Sequence, residues 1–156
     1  MSTAREERSL RWGQARDQAF LSLKNASLED KISTYRQLEK KMLKEATTNF
    51  ERREIKRRIT TDLLQAASPA GWSTFAPYLR RMESLGYVDL DERLLVCVLT
   101  AKAAAGTAAG MKKTAELIVD IERRTRSARL DDDRRGEVKN ALERARRFSG
   151  LPPSFG

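Results

Sequence analysis

The chain contains no histidine and a single cysteine among its 156 residues. Histidine is the commonest general base and a frequent zinc ligand, so histidine-dependent triads and metal sites cannot form within one chain. One cysteine cannot form an internal disulfide bond. Catalysis would have to rest on carboxylates, lysine or Cys97. We therefore expect a protein that is not an enzyme, with no catalytic, cofactor-binding or metal-binding residues.

Long apolar runs are also missing. The longest strictly apolar run is "LLVCVL", residues 94–99, and it is far shorter than the roughly 20 residues that cross a bilayer. The first twenty residues carry charges every few positions and contain no apolar segment of signal-peptide length. We expect no membrane insertion and a cytoplasmic location.

Only four prolines and eight glycines interrupt a sequence rich in helix-forming residues. The composition predicts an all-α fold: a single compact helical domain of about five to seven helices, with antiparallel helix-pair or bundle-like packing. Within residues 1–156 we predict a basic helical arm at 1–67, a helical core at 68–150 and a flexible tail at 151–156.

The predicted arm contains neither glycine nor proline from Leu28 to Ala67. A continuous helix of that length would measure about 60 Å, which exceeds the diameter of a compact domain of this size. We favour a break near "TTNF", residues 47–50, because threonine and asparagine are poor in helix interiors. Ser27 is predicted to cap the start of the first half.

The predicted core begins after "SPAGW", residues 68–72, the clearest break in the chain. Ser73 is predicted to cap the next helix, with Pro77 in its first turn and Gly86 at its end. Asp89 or Asp91 then opens a helix over residues 91–105. That helix is apolar on all sides from Leu94 to Leu99, which indicates the buried centre of the fold and makes Cys97 a core thiol.

Residues 59–99 allow another interpretation, a winged helix-turn-helix. In that interpretation, residues 87–99 form a two-stranded wing and the helix beginning near Ser73 enters the major groove of DNA. The predicted recognition helix carries only Arg80 and Arg81 as cations. We therefore favour the ordinary helix pair.

The net charge of +9 is uneven along the chain. Residues 1–60 hold 15 cations against 9 anions, residues 61–100 hold 3 against 5, and residues 101–156 hold 13 against 8. In "ERREIKRRI", residues 51–59, the apolar stripe leaves several arginines on other sides of the helix, and few carboxylates compensate them locally. Such cations favour an anionic partner.

We therefore predict a non-enzymatic helical protein-interaction module, an adaptor, regulator or inhibitor, that binds an acidic protein partner through the segment 28–66. The alternative is DNA or RNA binding, through the basic helix 50–65 or through the winged helix-turn-helix at 59–99. The predicted partner-binding residues are Lys40, Lys44, Arg52, Arg53, Lys56, Arg57 and Arg58.

Overall fold

The computed structural model describes residues 3–154, and those residues form seven α-helices, one short 3₁₀ turn at Ser68–Ala70 and no strand. The all-α prediction is confirmed. The helices are α1 (Ala4–Ser22), α2 (Leu28–Glu45), α3 (Asn49–Ala67), α4 (Trp72–Leu85), α5 (Leu90–Ala104), α6 (Ala108–Ser127) and α7 (Asp132–Ser149).

The helices form two compact units, of which the first ends at Ala66 and the second begins at Ala67. The sequence-based division into an arm at 1–67 and a core at 68–150 falls next to this boundary. The prediction of a single domain stays a prediction.

The first unit contains three helices, because the segment 28–67 is interrupted where the sequence predicts it. The chain leaves α2 at Ala46, whose ψ of 138° is extended. It enters α3 after Thr48, whose hydroxyl oxygen accepts a hydrogen bond from the Glu51 N–H at 3.1 Å. At the start of α2, the Ser27 hydroxyl oxygen accepts from the Asp30 N–H at 3.1 Å, as predicted.

Side-chain pairs establish the direction of these three helices. Arg8 bonds to Glu51 near the starts of α1 and α3, and Arg16 bonds to Asp62 further along both, so the two helices run in parallel. Arg11 of α1 bonds to Glu45 at the end of α2, which runs the other way. The first unit is therefore an up-down-up three-helix bundle.

The second unit is built around α5, which packs against α4, α6 and α7. Cys97 and Ala101 of α5 lie in its apolar core, and the bounds of this helix confirm that "LLVCVL" is helical. The buried residues of the core cluster are Leu94, Cys97, Ala101, Ile118, Ile121, Val138, Leu142 and Ala145.

The predicted wing does not form. Residues 87–89 make a short loop, and Asp89 then caps α5 by accepting a hydrogen bond from the Glu92 N–H at 2.9 Å. The end of α4 at Gly86, with a φ of 83°, is as predicted. The winged version of the DNA-binding alternative therefore lacks its strands.

The predicted start of α4 is wrong. The helix begins at Trp72, after Gly71 with a φ of 101°, so Ser73 lies inside the helix and caps nothing. Glycine adopts such a backbone angle without strain, which lets the chain turn into the helix earlier. Pro77 consequently lies beyond the first turn, where its missing N–H removes a hydrogen bond to the Ser73 carbonyl.

The C-terminal segment starts with Leu151, which is half-buried and packs against the apolar core of the second unit. Its N–H donates to the Arg146 carbonyl at 2.9 Å, and Gly150 is in the left-handed conformation. Of the tail predicted at 151–156, residues 155–156 lie outside the described residues. Among residues 3–154, no helix is both long enough and apolar enough to cross a membrane.

Candidate partner-binding surface

Arg8 of α1 binds a carboxylate at the start of α3. Its Nε and Nη2 atoms donate to Glu51 Oε2 and Oε1 at 3.1 and 3.0 Å, and the Thr47 hydroxyl donates to Oε1 at 2.7 Å. The Glu51 side chain is buried. These hydrogen bonds, first from Arg8 and then from Thr47, lower the pKa of Glu51 to about 2. Glu51 is therefore an ionised structural partner of α1.

Two further arginines of α1 bind carboxylates in the same way. Arg16 donates from Nε and Nη2 to the two oxygens of Asp62, both at 2.8 Å. Arg11 donates to Glu45 at 2.7 Å, and Trp12 Nε1 donates to the same carboxylate oxygen at 3.0 Å. The pKa of Glu45 is lowered, chiefly by the hydrogen bond from Arg11. Arginines of α1 thus form ion pairs with carboxylates of both other helices of the first unit.

This pairing changes the charge that α2 and α3 present. Residues 28–67 contain ten cations and seven carboxylates. Three of those carboxylates bond to arginines of α1. The cations of α2 and α3 are left with few counter-charges of their own, a larger imbalance than the sequence count suggests.

The predicted partner-binding residues differ in their surroundings. Lys40 and Lys44 are exposed, one turn apart, on α2. Among the described residues, no carboxylate lies within ion-pair distance of Lys40, Lys44 or Lys56. Arg52 is exposed and donates to the uncharged Asn49 Oδ1 at 3.1 Å. We define the four-cation set as Lys40, Lys44, Arg52 and Lys56.

The other three predicted residues are already engaged in the protein. Arg58 forms an ion pair with Glu54 at 3.1 Å, one turn away. It lies on a different side of α3 from Arg52 and Lys56, which share one side. Arg53 is exposed, Arg57 is half-buried, and both take part in further interactions within the protein. The seven residues therefore do not form one cluster.

A small cavity of about 210 Å³ lies at the other end of the three-helix bundle. Phe20 and Leu23 of α1 and its C-terminal flank, together with Ala66 of α3, form apolar walls, and Lys24 and Lys31 also line it. The sequence analysis missed this cavity, because its walls come from three helices that no local pattern brings together. The one local hint of this cavity in the sequence is Tyr35, a residue with a polar hydroxyl group on the apolar stripe of α2.

Tyr35 and Asp62, which are both buried, also line this cavity. Tyr35 is buried, and burial, followed by the charge of Asp62, raises the pKa of its hydroxyl. Asp62 is held by Arg16 through two bonds. The wall of the cavity therefore carries a neutral phenol and a compensated carboxylate.

The cysteine of the second unit is buried in the core. Cys97 is 1% exposed, and burial raises the pKa of its thiol to about 12. A thiol of that kind is protonated at neutral pH and is a poor nucleophile. Its predicted role as a core side chain is confirmed. Within residues 3–154, no group of three or more cysteine, aspartate or glutamate side chains is arranged to hold a metal ion.

Comparison of the chain with protein-family models, with curated proteins and with solved structures finds no match.

Proposed function

We propose that this protein is a non-enzymatic interaction module that binds an acidic protein partner through the first unit. The four-cation set on α2 and α3 supplies the attraction. One observation carries the proposal: arginines of α1 pair with Glu45, Glu51 and Asp62, and among the described residues no carboxylate forms an ion pair with the four-cation set. An acidic surface would provide that counter-charge.

A protein fits this surface better than a nucleic acid because apolar side chains are exposed in the same unit. Leu10, Phe20 and Leu21 of α1 are each more than half exposed. Protein interfaces combine apolar contacts with charged rims, whereas nucleic-acid surfaces are dominated by contacts to phosphate. Phe50, also exposed, has the Arg5 guanidinium 4.7 Å from its ring centre, which occupies a face that stacking of a base would need.

The proposal is tested by affinity capture from the native source, with and without nuclease. We expect acidic proteins to be captured in both conditions, because their binding does not depend on nucleic acid. A variant in which the four-cation set is replaced by glutamine should lose them. The substitutions are K40Q, K44Q, R52Q and K56Q.

A matched control separates local charge from total charge. It removes four exposed cations of the second unit, so the net charge falls by the same amount. Its substitutions are R123Q, R129Q, K139Q and R147Q. The control should retain the captured proteins. Loss of capture after nuclease treatment, or equal loss in both variants, would contradict the proposal.

Nucleic-acid binding through the basic helix 50–65 would behave differently. Each lost phosphate contact lowers the slope of log affinity against log salt by about 0.9. Submicromolar binding of duplex DNA at about 0.15 M salt, with a slope that drops by about two or more in the four-cation variant, would establish nucleic acid as the ligand instead.

A further inference from the structure

We propose that the cavity at the end of the three-helix bundle receives one apolar side chain from an acidic segment of the partner. This inference rests on the proposed function and adds the point at which the partner is anchored. The cavity lies within the first unit and is lined by residues of all three of its helical regions.

The size of the cavity identifies the kind of occupant. Its volume is about 210 Å³, below the range that begins at about 300 Å³ for sites that enclose small molecules and cofactors. Single aromatic or aliphatic side chains that enter such pockets supply much of the affinity of many protein interfaces. A side chain of leucine or phenylalanine size matches this cavity better than a cofactor.

The walls favour an apolar occupant. Phe20 is 61% exposed although it is aromatic, and Leu23 and Ala66 are only partly buried beside it. A side chain inserted here would remove apolar surface of Phe20 and Leu23 from water. Asp62 does not repel a carboxylate-bearing segment strongly, because two bonds from Arg16 compensate its charge.

The charges beside the cavity favour acidic residues around the inserted side chain. Lys24 and Lys31 line the cavity, and no carboxylate of the described residues forms an ion pair with either. An ammonium group without a counter-ion at the rim of an apolar pocket attracts a carboxylate next to the anchor. This charge complementarity is what identifies the segment as acidic.

The cavity and the four-cation set lie at different places on α2. Lys31 and Lys40 are nine positions apart, which corresponds to about 13 Å along the helix and half a turn around it. Separate parts of the partner would therefore contact the cavity and the four-cation set.

The test uses synthetic peptides and the full-length chain labelled with ¹⁵N. The probe is the peptide Ac-Glu-Glu-Phe-Glu-Glu-amide, with the central phenylalanine replaced by alanine in a second peptide. A single anchor gives weak binding, so titration extends to about 5 mM. We expect saturable amide shifts near Leu23, Lys31 and Ala66 with the phenylalanine peptide, and about tenfold weaker binding of the alanine peptide.

Two variants and a matched control check the assignment. Phe20→Ala removes an exposed part of the cavity wall, and K24Q combined with K31Q removes the charges at its rim. Each variant should bind the phenylalanine peptide about fivefold more weakly than the wild type does. The control, R123Q combined with K139Q, removes the same charge from the second unit and should bind as the wild type does. Folding of every variant is checked by its amide spectrum.

The inference is overturned if the phenylalanine peptide causes no shifts at the cavity, if both peptides bind equally, or if the control weakens binding as much as the rim variant. The peptide titration tests the cavity without the captured partner protein. Retention of that partner by the cavity variants but not by the four-cation variant would also overturn the cavity assignment while leaving the proposed function intact. Loss of the partner after nuclease treatment would instead overturn the proposed function.

Discussion

The helices within each unit bury apolar side chains, such as Met42 and Ile55 in the first unit, but the two units differ in how ion pairs and apolar clusters are distributed. In the first unit, three arginines of α1 bridge to carboxylates of α2 and α3. In the second, apolar side chains of α5, α6 and α7 form a common buried cluster. Charged pairs depend on pH and on the presence of both partners, whereas apolar packing depends on volume. The two units should therefore respond to different perturbations.

The difference also bears on function. In the first unit, arginines of α1 pair with carboxylates of α2 and α3, and among the described residues no carboxylate forms an ion pair with the four-cation set. In the second unit, cross-helix pairs such as Arg93 with Asp120 and Lys113 with Glu83 join cations of α5 and α6 to carboxylates of neighbouring helices. Other cations of the second unit, such as Arg123 and Lys139, are exposed as well, and they therefore serve as the charge control.

The largest effect is expected from Ile118→Ala in the second unit. Ile118 is 1% exposed within the apolar cluster, and truncation of such a side chain destabilises a fold by about 2–5 kcal/mol. Val119→Ala on the same helix, at a half-exposed position, should change stability much less. Urea unfolding measures both. Equal losses would show that the cluster is not the centre of stability.

A somewhat smaller effect is expected from Gly110→Ala at the start of α6. A Cβ atom at Gly110 would lie 2.6 Å from the Ala104 Cβ and 2.7 Å from its Cα, so backbone would have to shift. We expect a loss of about 3 kcal/mol, the upper end of ordinary overpacking.

Gly136→Ala provides the control for this prediction. A Cβ atom at Gly136 meets nothing within 4 Å, and alanine in a helix interior is better than glycine by about 0.5–1 kcal/mol. The control should therefore be slightly more stable in urea. A Gly110→Ala protein as stable as the control would show that α5 and α6 approach each other less closely than described.

In the first unit, Arg16→Met should destabilise by about 2 kcal/mol, because it leaves the partly buried carboxylate of Asp62 without its partner. Adding Asp62→Leu should recover much of that loss by removing the unpaired charge. Hydrogen exchange of the α1 amides measures both changes. If the α1 amides exchanged as fast in the double variant as in the single variant, the unpaired charge of Asp62 would not be the cause of the lost stability.

A pH effect of smaller size is expected from Glu51. Its pKa in the folded protein, about 2, lies below the ordinary value of 4.5, so ionised Glu51 stabilises the fold above the ordinary value. That contribution is lost as pH falls from about 5 towards 2. Exchange of the α1 amides should accelerate in this range.

The variant Glu51→Gln should show a weaker acceleration, because it cannot gain that proton. Glu29→Gln, at an exposed position in the first turn of α2, should keep the wild-type response. An unchanged pH response of the Glu51 variant would show that the Arg8 pair does not contribute.

The sequence predicted the helices because their signals are local. The apolar spacing, the cap at Ser27, the turn at Gly86 and the cap at Asp89, predicted as Asp89 or Asp91, each involve residues within a few positions of one another. The start of α4 was predicted wrongly because Gly71, with its positive φ, competes with the hydroxyl signal of Ser73. The sequence therefore predicts a helix end correctly where only one residue near that end can act as the cap or the turn.

The candidate site was predicted less well, since its pairs join residues 34 to 46 positions apart in sequence. No period of a helix predicts such pairs. A signal was present, however. Glu51 and Asp62 fall on the same stripe of α3 as Ile55 and Ile59, and a carboxylate on a buried stripe needs a cation from another helix. The arginines of α1 could have been proposed on that ground.

The most direct test of the proposed binding surface is a lysine acylation footprint of the full-length chain, alone and bound to the captured acidic protein. Lys40, Lys44 and Lys56 should react more slowly in the complex, because the partner covers them. Lys112 and Lys139 of the second unit should react equally in both states. Slower acylation of Lys112 and Lys139, with Lys40, Lys44 and Lys56 unchanged, would contradict the assignment of the binding surface to the first unit.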